Sequence, residues 1–286
     1  MSEKHNQTLK LPDGRNLAYA EFGDLNGRMV FYFTGGNNSR LEAKSYDATA
    51  RKLGLRIISI DRPGFGNSDF LPNRQLLDWP EDVAHLADHL EVPRFPVFGL
   101  SGGGPHLLAL AYKQPERITR GAVVSGAAPY ASEDAFKGMW LPIRIMYTLG
   151  RWMPMGFNLA MQKAMNNPEQ NMQYKDRMRA PDAAILNARP KLVEEFIASV
   201  NEAHKNGFEG AAWEWRLYTR PWGFSLEDIQ SKIHLWYGEE DGQAPPGMGR
   251  YLHKVLPNSR LTVMPNEAHV SLINNHIETI LKDLVA

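Results

Sequence analysis

The sequence predicts an α/β fold: a mostly parallel sheet covered by helices on both faces. Three observations carry this. Apolar runs of strand length alternate with segments of helical period. Several of the runs, such as Met29 to Thr34 and Leu55 to Ile60, are apolar on both faces, as a strand covered on both sides must be. The same two runs end in turn formers, Gly35-Gly36-Asn37-Asn38 and Asp61-Arg62-Pro63-Gly64-Phe65-Gly66-Asn67-Ser68.

Taken in order, Thr8 to Leu11, the turn Pro12-Asp13-Gly14 and Arg15 to Phe22 read as a hairpin. A helix is expected over Ser45 to Leu53. A second runs from Trp79 to Leu90, where Trp79, Val83, Leu86, Ala87 and Leu90 share one face. A buried strand from Phe95 to Leu100 leads into Ser101, followed by a helix through Pro105 to Ala111 and a strand over Gly121 to Ser125. Between about Tyr130 and Trp222 the composition changes. That third of the chain holds 8 of the 12 methionines and 5 of the 7 tryptophans, shows no clear strand, and has an amphipathic helix over Leu192 to His204. Alternation resumes with strands at Lys232 to Tyr237 and Arg260 to Met264. A last helix follows, with Ile273, Ile277, Ile280, Leu281 and Leu284 on one face. The expected organisation is one α/β core in two parts, residues 1–129 and 225–286, with a helical cap inserted at 130–224.

Composition narrows the function. With 286 residues, 43% hydrophobic and 22% charged, the chain is of ordinary globular type. Lys plus Arg and Asp plus Glu number 32 each, so no global positive field draws nucleic acid. No cysteine is present, which excludes disulfides, thiolate metal sites and a Cys nucleophile. The N-terminal residues lack the apolar core of a signal peptide and no run of about 18 apolar residues occurs. The expectation is a cytoplasmic protein with no membrane span, acting on a small molecule without metal or organic cofactor.

The stretch Gly99-Leu100-Ser101-Gly102-Gly103 stands where a strand turns sharply into a helix. Small neighbours let the chain pack against itself there, and the serine hydroxyl is left at the C-terminal edge of the sheet. A serine becomes a nucleophile only when a base takes its proton, and a histidine base needs an acid to hold its tautomer. Of nine histidines, His269 lies between the last strand and the last helix, at the same edge. Asp241, in Gly238-Glu239-Glu240-Asp241-Gly242 after another strand, is the acid candidate, with Glu239 and Glu240 as neighbours that compete. The chain order Ser101, Asp241, His269 goes with a nucleophile on this kind of turn. The N–H of Gly102 supplies one donor for an oxyanion, and the loop Gly35-Gly36-Asn37 is placed for the second. His106 is too far along the nucleophile's helix to turn back on Ser101 and is assigned to the pocket. Met139, Trp140, Met146, Trp152, Met153 and Trp213 are candidates for its apolar roof.

On these motifs, and on Ala268-His269, the chain resembles the α/β-hydrolase superfamily, in the branch of esterase-like serine hydrolases with a helical cap. The resemblance covers both core segments and is weak in the cap. It implies Ser101 as nucleophile, His269 as base, Asp241 as orienting acid, and the N–H groups of Gly36 and Gly102 as oxyanion hole. It also implies that the Asp61 loop is structural. The chain departs from the family where a His-Gly pair, a variable residue and a proline usually follow the third strand. Here Thr34-Gly35-Gly36-Asn37-Asn38 stands instead, with a shorter side chain to brace the loop and two polar side chains, Asn37 and Asn38, near the site. The expected activity is cleavage of small or medium carboxylic esters or lactones. The alternatives are another reaction on the same three residues (aminopeptidase, C–C hydrolase, haloperoxidase or lyase) or a ligand receptor with little turnover. For an aminopeptidase, Glu202, Glu209 and Glu214 are the candidates to hold a substrate amine.

Overall fold

The computed structural model describes residues 3–130, 133–152 and 178–286. Its strands are β1 (Gln7–Lys10), β2 (Asn16–Gly23), β3 (Arg28–Phe33), β4 (Leu55–Ile60), β5 (Phe95–Leu100), β6 (Ile118–Val124), β7 (Ile233–Gly238) and β8 (Ser259–Met264). They form one sheet in the order β1-β2-β4-β3-β5-β6-β7-β8. The β1–β2 hairpin and the β2–β4 pair are antiparallel; every later pair is parallel. The α-helices among the described residues are α1 (Asp47–Lys52), α2 (Trp79–His89), α3 (Gly103–Lys113), α4 (Leu141–Trp152), α5 (Ala180–Ala188), α6 (Pro190–His204), α7 (Glu209–Thr219), α8 (Pro246–Val255) and α9 (His269–Val285).

The doubly apolar strands are explained by what covers them. In β3, Phe31 and Phe33 pack into a cluster with α2, α3 and α8, while Val30 and Tyr32 point the other way against α1 and α9. Ring stacking continues across the sheet, Phe31 on Phe95 at 3.9 Å and Tyr32 on Phe98 at 4.3 Å. Each such side chain stabilises the fold by about 1.5–3 kcal/mol relative to exposure. Between β6 and β7 the described residues form no strand: α4 to α7 lie there, with a short 3-10 helix before them, Glu133–Phe136, and one after, Leu226–Asp228. No helix among the described residues is long and apolar enough to cross a membrane.

One local expectation is corrected. The helix expected from Ser45 begins earlier, as a 3-10 helix Arg40–Tyr46, and α1 continues it. Ser39 caps it by accepting the Leu41 N–H, and Arg40 is drawn into Asp61 at 2.6 Å. Pro246 opens α8, because proline at the first helical position loses no hydrogen bond. Met248 and Leu252 then bury the helix against the sheet. Since β3 to β8 run parallel, the loops after β3, β4, β5, β7 and β8 all emerge at one edge of the sheet.

Candidate active site

Ser101 occupies the turn between β5 and α3 with φ +50°, a left-handed conformation that costs a non-glycine residue on the order of 1 kcal/mol or more. Its own N–H donates to Val124 O at 2.8 Å, which holds the turn to β6. The glycines on either side are required by close approach. A Cβ on Gly99 would lie 2.6 Å from Gly103 O, and one on Gly103 would overlap the Phe33 carbonyl. Gly102 caps α3, so its N–H belongs to the group that a helix start leaves free. Gly36 comes alongside from the loop after β3: a Cβ built on Gly102 would lie 3.1 Å from Gly36 N. Asn37 turns that loop with φ +64°, a conformation asparagine tolerates.

His269 is the first residue of α9, and its Nδ1 lies 2.8 Å from Asp241 Oδ2. The other Asp241 oxygen accepts the N–H groups of Gln243 and Ala244 at 2.7 and 2.8 Å. Asp241 is 3% exposed, whereas Glu239 and Glu240 point to solvent, so the competition among the three acids is resolved by burial. Burial pushes the His269 pKa down. The Asp241 carboxylate, hydrogen-bonded to the ring, outweighs it together with the more distant Asp182 and Glu42, and the net shift is upward. Asp182, on α5, accepts the N–H groups of Val270 and Ser271 at 2.8 and 2.9 Å. A carboxylate from the inserted helices thus caps the helix that carries His269. No sequence signal pointed to it.

The loop after β3 is held from an unexpected side. Arg62 Nη1 donates to Thr34 O at 2.6 Å and to Thr34 Oγ1 at 2.9 Å, and its Nη2 donates to Gly35 O at 3.0 Å. The same guanidinium grips Glu214 of α7 through Nε and Nη2, and Arg74 reaches Glu214 at 3.2 Å. All three charged side chains are buried. Burial works to raise the Glu214 pKa; Arg62 and Arg74 overcome it and hold the carboxyl at about 2. The Asp61 loop therefore braces the neighbouring loop where the shorter Thr34 cannot. The signal was present, since Arg62 follows Asp61 in the turn motif, but its side-chain direction was not legible.

His106 does not line the pocket. It is fully buried beneath the turn, with Nδ1 donating to Gly102 O at 3.0 Å, and burial lowers its pKa to about 3. The ring is neutral, so its 3.6 Å approach to Glu214 is no ion pair. Tyr218 Oη sits beside it, 2.7 Å from Glu214 Oε2 and 3.2 Å from Gly102 O.

Ser101, Gly36, Gly102 and His269 open on one cavity of about 650 Å³ between the sheet edge and the inserted helices. Asn37, Trp140 and Met146 line it as expected, Trp140 being 40% exposed. Met139 and Trp213 do not. Met139 packs into the core below, and Trp213 turns its Nε1 to Arg74 O at 2.8 Å. Met153 and the side chain of Trp152 lie outside the described residues. The apolar wall comes instead from residues such as Ile143, Tyr147, Leu186, Phe196 and Trp215, brought together from four helices. The acids expected to hold a substrate amine are placed elsewhere. Glu202 pairs with Arg40 at 2.8 Å, Glu214 with the two arginines, and Glu209 is exposed away from the cavity.

Comparison with known proteins agrees with this architecture. The sequence profile of the alpha/beta hydrolase fold matches residues 29–276. An uncharacterized hydrolase of Bacillus subtilis is 30% identical over 106 residues, which span 37% of this chain and 36% of that one. The pimeloyl-[acyl-carrier protein] methyl ester esterase of Neisseria meningitidis serogroup B is 25% identical over 234 residues, 77% of each chain. A hydrolase from Pseudomonas aeruginosa superposes with a TM-score of 0.72 over the whole of both chains at 20% identity. The match extends from β3 into α9, through every parallel strand, and the chain belongs to the α/β-hydrolase fold family.

Proposed function

We propose that the protein is a serine hydrolase that cleaves small or medium carboxylic esters, lactones included, through an acyl-enzyme on Ser101. In this reading Ser101 Oγ attacks the acyl carbon and its proton passes to His269 Nε2. Asp241 holds the Nδ1–H and stabilises the imidazolium that forms. The oxyanion is held by the N–H groups of Gly36 and Gly102. Collapse breaks the acyl–oxygen bond, and the alcohol leaves with the proton from His269. Water then attacks the acyl-enzyme, loses its proton to His269, and Ser101 recovers that proton as the acid departs. The observation that carries the reading is the convergence of Ser101 and His269 on one cavity, with His269 Nδ1 2.8 Å from a buried, doubly anchored Asp241. The apolar wall suits an acyl chain. Bracing of the Gly35-Gly36 loop by Arg62 supports turnover over the receptor alternative that Thr34 raised.

The test is covalent. A fluorophosphonate probe is expected to label the wild-type protein at Ser101, located by peptide mass mapping; folded protein that stays unlabelled would overturn the reading.

The pH dependence has a defined sign. The base acts only when neutral, and the His269 pKa is raised, so kcat/KM is expected to climb through a midpoint above 6.5, the ordinary histidine value. Asp241→Asn removes the largest raising charge and leaves burial opposed only by the more distant Asp182 and Glu42. The midpoint then moves to lower pH, and turnover falls by about 10⁴ because the wrong tautomer is favoured. An acid limb that stays put in this variant would show that another group titrates.

A further inference from the structure

The cavity is lined by two carboxylates that hydrolysis does not use, Glu42 and Glu195. Glu42 lies on the 3-10 helix just beyond the loop that carries Gly36, and it lines the cavity. Its Oε2 accepts from Tyr32 Oη and from Gly35 N, both at 2.7 Å. Its Oε1 accepts no hydrogen bond among the described residues, and no described Lys or Arg forms an ion pair with it. Burial pushes its pKa up; the hydrogen bonds together with the more distant Arg62 and His269 pull the other way without cancelling it, and the net shift is upward. Arg62 is engaged with Glu214, Thr34 and Gly35. One turn further along the same edge of the 3-10 helix, Ser45 Oγ donates at 2.9 Å to Glu195 of α6, which also lines the cavity. Among the described residues, the only cation near Glu195 is the solvent-facing Lys191, at 3.9 Å.

A second, independent observation lies beside these acids. Asn37 and Asn38 line the same end of the cavity, and the amide oxygen of each has no hydrogen-bond partner among the described residues. Asn38 is 5% exposed. The polar end of the cavity thus holds Glu42 with its Oε1 unpaired, the Glu195 carboxylate with Ser45 and Lys191 as its partners, and two buried amide oxygens without a partner among the described residues. No described Lys or Arg lines the cavity anywhere. A bare carboxylate next to an oxyanion loop opposes the charge that hydrolysis develops there. A cation on the substrate removes that conflict and satisfies the acceptors together.

We infer that Glu42 and Glu195, with the amide oxygens of Asn37 and Asn38, form a subsite for a positively charged amino group of the substrate, so that the protein prefers amino-bearing acyl compounds over neutral or acidic ones. The inference rests on Ser101 as nucleophile and adds the substrate class.

Three p-nitrophenyl esters of one shape test it: the β-alanyl ester, the butyrate, in which a methyl replaces the ammonium, and the hemisuccinate, in which a carboxylate replaces it. Wild-type kcat/KM is expected to be at least about tenfold higher for the β-alanyl ester than for the butyrate, corresponding to about 1.4 kcal/mol, and lowest for the hemisuccinate. In Glu42→Gln the ratio of β-alanyl to butyrate hydrolysis collapses toward one. Glu195→Gln, which leaves the Tyr32 and Gly35 hydrogen bonds in place, lowers the same ratio and serves if the first variant does not fold. Equal or better butyrate hydrolysis by wild type, or a ratio unmoved in the folded variants, overturns the inference while leaving the serine mechanism standing. Failure to hydrolyse any of the three, with no fluorophosphonate labelling, would instead remove the mechanism on which it rests.

Discussion

Ser101→Ala is expected to abolish ester turnover, lowering kcat by on the order of 10⁴ to 10⁶, and to abolish fluorophosphonate labelling while the protein stays folded. The size follows from the division of labour. In the proposed mechanism no acyl-enzyme forms without Oγ, and what is left is direct attack by water on an ester held between Gly36, Gly102 and the apolar wall. The fold survives because Ser101 is fixed by its backbone, through its N–H to Val124 O, and alanine keeps that hydrogen bond. His269→Ala is expected to cost a similar factor, and the double variant no more than either single one, because nucleophile and base act as a unit. Steady-state kinetics on a p-nitrophenyl ester, with thermal melting as the control for folding, measures both. Retention of more than about a hundredth of wild-type turnover in folded Ser101→Ala would place the nucleophile elsewhere.

Arg62→Met is expected to destabilise the protein by about 3–5 kcal/mol in chemical denaturation. The guanidinium is buried and holds two loop carbonyls and the Glu214 carboxylate. Removing it leaves a buried carboxylate held by the Tyr218 hydroxyl at 2.7 Å and by Arg74 at 3.2 Å. It also frees Gly35, the residue before the Gly36 N–H. In the protein that does fold, turnover is expected to drop by about a hundredfold, the scale of a misplaced oxyanion donor, with KM little changed. The companion variant separates the two effects. Arg62→Lys keeps a positive charge beside Glu214 but lacks the planar fork that reaches both loop carbonyls, so stability recovers in part while turnover does not, because the loop is still unbraced. A stability loss under about 1 kcal/mol for Arg62→Met, or full recovery of turnover in Arg62→Lys, would show that Arg62 does not position the loop.

Much of the core was legible in the sequence because burial on both faces of a parallel strand leaves an unbroken apolar run, and because Gly, Pro and Asp mark the turns between them. The hairpin, β3, β4, β5 and the last helix all follow from that pattern. So did the placement of Ser101, Asp241 and His269 at one sheet edge, since each lies just beyond a strand and parallel strands end together. The nucleophile turn had a further local cause. Gly99 and Gly103 are small because β5, α3 and β3 crowd there, and such crowding is written into adjacent residues.

The rest depended on contacts between residues far apart in the chain. Helices rich in Met and Trp bury some of those side chains among themselves and turn others to the cavity. Composition alone cannot separate Trp140, which faces the cavity, from Trp213, which turns to Arg74. Arg62 and Glu214 meet across 152 positions of sequence, and Asp182 caps the helix of His269 from 88 positions away. The sequence by itself determined the fold family, the sheet edge and the chemistry available there, because strand burial and tight turns are local in the chain. The tertiary structure alone decided which charges are paired and which face the cavity without a counter-charge. Pairing in a buried site depends on distance and desolvation, and neither is set by neighbours in sequence: Glu214 is neutralised by two arginines, while Glu42, equally acidic on paper, faces the cavity without one.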